Sequence, residues 1–137
     1  MAQESRLNAS LLVVEDDEDT REMLRFILEQ HATKVVAVDS VESALDAFKN
    51  TPPDILVTDI AMAGYNGYAL IAQVREMDKE LKKRTPAIAL TAFTSAADRA
   101  TAFAAGFDAY LEKPFGPAEL LATIRDLLNG RDEQLKA

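Results

Sequence analysis

Five short aliphatic runs punctuate the chain: Leu11 to Val14, Val35 to Val38, Ile55 to Val57, Ala87 to Leu90 and Ala109 to Leu111. Each is too short for a helix and lacks the strict alternation of a half-wet strand, so each predicts a strand covered on both faces. Between them apolar residues recur at helical spacing. Met23, Leu24, Ile27 and Leu28 share one face, as do Ala44, Leu45 and Phe48, and then Leu70, Ile71, Val74 and Met77. Ser95 to Ala105 is alanine-rich, with Phe103 as its one large apolar anchor, so propensity predicts a helix whose face is poorly defined. The last helix carries Leu120, Leu121, Ile124, Leu127 and Leu128, starts after Pro117 and is expected to stop at Asn129-Gly130. Five strands each followed by a helix predict an α/β domain, with a five-stranded parallel sheet, right-handed crossovers and helices on both faces. The domain is expected over residues 9–129, with residues 1–8 and 130–137 as flexible ends.

Composition narrows the functional classes. At 137 residues the chain has room for one core, and 48% hydrophobic against 28% charged residues is globular composition. Fifteen basic and 23 acidic residues give a formal charge of −8, so a nucleic-acid backbone or an anionic membrane surface would repel it. With no cysteine there is no disulfide framework, thiolate metal site or thiol nucleophile, which fits a cytoplasmic location. No apolar run approaches the roughly 18 residues of a membrane span.

Ligands of open parallel sheets bind beyond the carboxyl ends of the strands, so those residues carry the candidate chemistry. The first strand runs into Glu15 and Asp16, the third into Asp59, the fourth into Thr91 and the fifth into Lys113-Pro114. Asp39, at the end of the second strand, is set aside because an edge strand would hold it away from the others. Asp17, Glu18 and Asp19 read as helix-end electrostatics, with Asp19 as N-cap and Glu22 completing a capping box. Taken singly, Asp59 reads as a turn residue, Thr91 as a strand residue and Lys113 as a surface charge; their shared rim is what points to chemistry. Three neighbouring carboxylates raise one another's pKa unless a cation joins them. An all-oxygen ligand set suits Mg²⁺, with Mn²⁺ as a substitute. Lys113 is then a point charge for an incoming anion, Thr91 a donor to it, and one aspartate a nucleophile for phosphoryl transfer.

The segments Leu-Leu-Val-Val-Glu15-Asp16-Asp17, Leu-Val-Thr-Asp59-Ile-Ala-Met, Ala-Leu-Thr91-Ala and Tyr110-Leu-Glu-Lys113-Pro114-Phe115 resemble the response regulator receiver family of two-component signalling, in its single-domain, chemotaxis-regulator-like form. The resemblance implies a flavodoxin-like doubly wound fold with strand order 2-1-3-4-5. It implies a phosphoacceptor, not an enzyme in its own right, that assists its own phosphorylation and dephosphorylation. Asp59 would accept the phosphoryl group from a histidine kinase or histidine phosphotransfer protein. Glu15, Asp16, Asp59 and the carbonyl of Ala61 would hold Mg²⁺, Lys113 would bind the phosphoryl group behind a cis peptide to Pro114, and Thr91 and Tyr110 would form the switch. Output to a downstream protein would use the face of the fourth helix, fifth strand and fifth helix. One departure is Ala63, where the family usually has proline.

Two arrangements remain open, a stand-alone switch and a receiver segment of a hybrid kinase or longer regulator. A flavodoxin-like cofactor enzyme would end its first strand in a Ser/Thr/Gly-rich phosphate loop, and here that strand ends in acid. A phosphatase with an aspartate nucleophile would carry Asp-x-Asp at that strand end, and Asp17-Glu18-Asp19 lies too far along. The acidic run also departs from a calcium loop, having Arg21 where glycine is required.

Ala61 and Phe93 each follow a reactive strand-end residue by two positions; either they border the approach to the phosphoryl group, where neither can orient a water for in-line attack, or Phe93 turns away to pack on the fourth helix, and the first reading has a testable consequence. Ala61→Asn combined with Phe93→Glu is therefore expected to speed loss of the phosphoryl group, followed as decay of the phosphorylated mass. An unchanged decay rate with phosphorylation intact would dissociate these positions from water access.

Overall fold

The computed structural model describes residues 7–60, 67–92 and 95–136. Strands and helices alternate in the order β1 (Leu7–Val14), α1 (Glu18–Glu29), β2 (Ala32–Val38), α2 (Val41–Asn50), β3 (Ile55–Asp59), α3 (Gly67–Leu81), β4 (Ala87–Thr91), α4 (Ala96–Ala105), β5 (Ala109–Glu112) and α5 (Pro117–Lys136). The sheet is parallel throughout, in the order β2-β1-β3-β4-β5. Leu11 through Val14 of β1 pair with Val35 through Val38 on one side and with Ile55 through Thr58 on the other, placing β1 at the centre.

Burial follows from this pairing. Every residue of β3 and of β4 is buried, as both-face coverage requires. Alternation along the strands divides the core into two layers. Leu11, Val13, Val57, Ile88, Leu90 and Leu111 face α1 and α5, where they meet Leu24, Leu28, Leu120 and Ile124. Leu12, Val14, Leu56, Ala87, Ala89 and Tyr110 face the other helices and meet Phe48, Leu70, Ile71, Val74 and Ala102. Since β2 leads through α2 to β3, on the far side of β1, the sheet reverses direction between β1 and β3. In open sheets of this kind ligands bind beyond the strand ends at that reversal.

Local structure departs from the sequence expectations at four places. Helix α1 is capped by Asp17, which accepts from Thr20 N at 2.9 Å, and Asp19 lies inside the first turn. All three acids suit a helix start, and the backbone angle at Asp17 selects it. On α1 only Leu24 and Leu28 are fully buried, leaving Met23 47% exposed. Helix α4 is held by Ala102, with Phe103 42% exposed, so close backbone approach replaces the expected large anchor. Helix α5 runs through Asn129-Gly130 to Lys136, and Leu7 and Asn8 already belong to β1. The residues after Gly130 include the strong helix formers Arg, Glu, Gln, Leu and Lys, which outweigh one glycine.

At the opposite ends of the strands lies a partly buried ionic network. Arg75 donates to Asp78 at 2.8 Å, to Asp108 at 3.0 Å and to the carbonyls of Thr85 and Gly106 at 2.6 Å each. Asp78 also accepts from Thr85 N and Oγ1, and Asp108 from Ala87 N and Arg84. Gly106, at φ +119°, closes α4: Phe107 N donates to Ala102 O at 3.2 Å and Gly106 N to Phe103 O at 3.1 Å. A Cβ there would meet Arg75 Nε at 3.4 Å on a backbone that side chains resist. Gly106→Ala is expected to cost about 1–3 kcal/mol, read as a lower urea midpoint with unchanged slope. A midpoint equal to the parent's would mean that this turn tolerates a side chain.

Candidate functional site

Strand pairing sets the rim residue by residue. Val14 sits opposite Val38 and Thr58, so Glu15, next along the chain, emerges level with Asp59. Glu15 N donates to Val38 O at 3.0 Å, which keeps this residue on the ladder beyond the strand's formal end. Asp59 pairs with Leu90, and Thr91 follows on β4. Lys113 N donates to Thr91 O at 2.8 Å, which carries the chain beyond β5 back toward the rim. The Lys113-Pro114 peptide is cis, as expected.

The side chains converge. One carboxylate oxygen from each of Glu15, Asp16 and Asp59 lies within 4.8 Å of the others. Glu15 and Asp59 are buried, at 1% and 5% exposure, while Asp16 is exposed. Lys113 Nζ bridges the buried pair, donating to Glu15 Oε1 at 2.8 Å and to Asp59 Oδ2 at 2.7 Å. Asp17 N donates to Glu15 Oε2 at 3.1 Å, fixing the other end of that carboxylate. Thr91 is fully buried at the same rim. Tyr110 is buried on the α4 side of β5, at 5% exposure. Ala61, Ala63 and Phe93 lie outside the described residues.

Sequence reasoning passed over Arg21 as a contributor. From the second turn of α1 its Nη1 donates to Glu15 O at 3.0 Å, and it approaches Asp16 O at 3.4 Å, tying down the loop that presents the acids. Its six-residue spacing from Glu15 was the available signal, since a guanidinium one turn into the helix reaches back to the preceding loop.

Burial raises the pKa of Glu15 above the ordinary carboxylate range; the bonds from Lys113 and Asp17 N–H offset this only in part, and the Asp59 charge adds to it. For Lys113 burial works downward, yet the bonds to Asp59 and Glu15 outweigh it and hold the ammonium above its usual pKa. Three carboxylates against one bonded ammonium leave an excess of negative charge. An all-oxygen donor set with lone pairs to spare, and no His or Cys among the donors, fits a hard divalent cation such as Mg²⁺.

The model of the response regulator receiver domain matches residues 11–125. The chain is 42% identical over 115 residues to an uncharacterized 14.6 kDa protein of Leptolyngbya boryana, covering 84% of this chain and 86% of that one. It is 32% identical over 118 residues to the phosphate regulon transcriptional regulatory protein PhoB of Escherichia coli, covering 86% of this chain and 51% of that protein, about half its length. The chemotaxis response regulator CheY4 of Vibrio cholerae has a similar structure, with a TM-score of 0.78 at 28% identity, covering 88% of this chain and 98% of that one. Among the described residues no helix is long and apolar enough to cross a membrane.

A pH dependence follows from Glu15. Its raised pKa means that the native state binds more protons than the unfolded chain, so this contribution is complete below the unfolded pKa and is lost as pH rises through the folded one. With chelator present, urea midpoints between about pH 4 and about pH 8 should fall less steeply in Glu15→Gln than in the parent. Parallel profiles would mean that Glu15 folds without an electrostatic cost.

Proposed function

The chain belongs to the response regulator receiver family, and on that premise we propose that it is a phosphoacceptor switch of a two-component or phosphorelay system, with Asp59 as the acceptor. What carries the reading is the meeting of Glu15, Asp16, Asp59 and Lys113 at one rim, with the Lys113 ammonium 2.7 Å from Asp59 Oδ2. A carboxylate oxygen of Asp59 attacks the phosphorus of a phosphohistidine, the P–N bond breaks, and the imidazole nitrogen leaves with the bonding electron pair. The product is an aspartyl phosphate. Lys113 moves from neutralising two carboxylates to neutralising the added phosphoryl oxygens, and the Thr91 hydroxyl donates to one of them. Glu15, Asp16, Asp59 and the carbonyl of Ala61 are the residues that would hold Mg²⁺. When bound, that ion supplies charge neutralisation and orientation for the phosphoryl group. The chain's own part is otherwise positioning, by the ladder that fixes Glu15 and Asp59 and by the Arg21 clamp on the acidic loop.

The phosphoryl donor is a histidine kinase or a histidine phosphotransfer protein, acting in the cytoplasm. The output passes from Thr91 to Tyr110 and on to a downstream protein through the face of α4, β5 and α5. The half-length match to PhoB supports a second reading, in which this receiver works within a longer regulator.

Incubation with Mg²⁺ and a small phosphodonor is expected to give one acid-stable, base-labile phosphoryl adduct on Asp59 by intact mass and site mapping. Asp59→Ala should abolish it, and Asp16→Asn should slow its formation. An adduct mapping to Asp16 or Asp17 would overturn the assignment.

A further inference from the structure

Helix α4 is held very differently at its two ends. At the C-terminal end the Gly106 carbonyl accepts from Arg75 Nε at 3.1 Å, Arg75 Nη2 at 2.6 Å and Arg84 Nη2 at 3.2 Å, and Arg75 is itself locked to Asp78 and Asp108. Along its ten residues only Ala102 is fully buried. The N-terminal end closes on itself, with Ser95 Oγ accepting from Asp98 N at 3.0 Å and donating to Asp98 Oδ2 at 2.7 Å. One turn in, Arg99 reaches out of the helix, and its Cζ lies 5.4 Å from the centroid of the Tyr110 ring. Arg99 is exposed and Tyr110 is buried among residues that include Ala102 and Phe107, so the guanidinium is the solvent-side cover of that ring.

We propose that Arg99 is a positioning residue that holds Tyr110 in its buried place and so sets the resting bias of the switch. This rests on Tyr110 being the switch aromatic. A guanidinium over a ring face is attracted by the ring quadrupole, and the ring cannot swing outward without displacing it. The flat guanidinium stacks where an ammonium would only approach, so lysine is a partial substitute. Because α4 is clamped at Gly106 and lightly packed elsewhere, the Arg99 contact acts on the end of the helix with most freedom to move.

The test uses the full chain labelled with fluorotyrosine, unphosphorylated, with the Tyr110 signal assigned through Tyr110→Phe. Arg99→Gln is expected to raise the solvent-exposed population of Tyr110 by about two- to five-fold, read by relaxation from a soluble paramagnet. Arg99→Lys should give a smaller rise, and both variants should stay folded, with the unfolding midpoint falling only slightly and in the same order, Arg99→Gln more than Arg99→Lys. Phosphorylation of Asp59 by a small donor should slow in Arg99→Gln in proportion to the fall in the buried fraction, but not when Tyr110→Leu is already present. Unchanged Tyr110 exposure in Arg99→Gln would overturn the proposal, and so would greater exposure with no change in rate. Absence of any Asp59 adduct in the parent would instead sink the phosphoacceptor reading, while the ring measurement on unphosphorylated protein still reports on Arg99.

Discussion

Glu15 and Asp59 lie side by side beneath the surface of a sheet whose interior is otherwise largely aliphatic, and a single ammonium, 2.8 Å from one and 2.7 Å from the other, holds them there. Burial pushes the pKa of Glu15 up, and the Lys113 ammonium opposes that push. Lys113 is 98 residues from Glu15 and 54 from Asp59 in sequence, so their meeting depends on the whole strand order. β1 must be central, β3 must lie beside it, and β5 must return its end across β4 toward them. The Lys113 N to Thr91 O bond makes that return, and it also joins the ammonium to the strand bearing the candidate hydroxyl. The backbone that carries the ammonium is thus bonded to β4 while continuing β5.

The two ends of the sheet use the same chemistry to opposite effect. In the Arg75 network two guanidiniums, Arg75 and Arg84, face two carboxylates, Asp78 and Asp108, and backbone donors and acceptors take up the remaining valences. A balanced, bonded network favours one arrangement, which suits an end of the fold that stays still. At the rim, three carboxylates face one ammonium, a local excess of two negative charges. An excess of negative charge of this kind is what a divalent cation would offset. The two clusters differ in charge balance, which is visible without reference to any motif.

Much of this was legible in the sequence because strand runs and strand ends obey strong rules. Aliphatic stretches such as Leu11 to Val14 have one good destination, and the residues just after them must line the rim. The parts that were not legible depend on small differences. Asp17 and Asp19 are equivalent as capping residues until the path of the chain out of β1 decides between them. Phe103 looks like an anchor by size, but α4 lies close enough to the sheet for Ala102 to fill the contact, and the phenyl ring turns outward. Arg75, Asp78 and Asp108 carry no sequence signal, since charged residues on a helix and in loops look solvated until their mutual placement is known. The bridging position of Lys113 was also hidden, because spacing locates the rim but not which carboxylates an ammonium will join.

Helix α4 is where these constraints meet. Its C-terminus belongs to the balanced network through Gly106, and its N-terminal half touches the strand that leads to the unbalanced one, through Arg99 on Tyr110. Tyr110 and Lys113 are three residues apart, on β5 and just beyond it. In the proposed switch, a change in what Lys113 neutralises would have only this short segment to cross before reaching the ring beneath Arg99. A helix packed by large side chains would resist such a push, and one with no clamp would lose its register. With alanine at the contact and arginine at the pivot, α4 is clamped at one end and lightly held at the other, and under the proposed function that asymmetry is what would let a charge change at the rim be read as a change of surface.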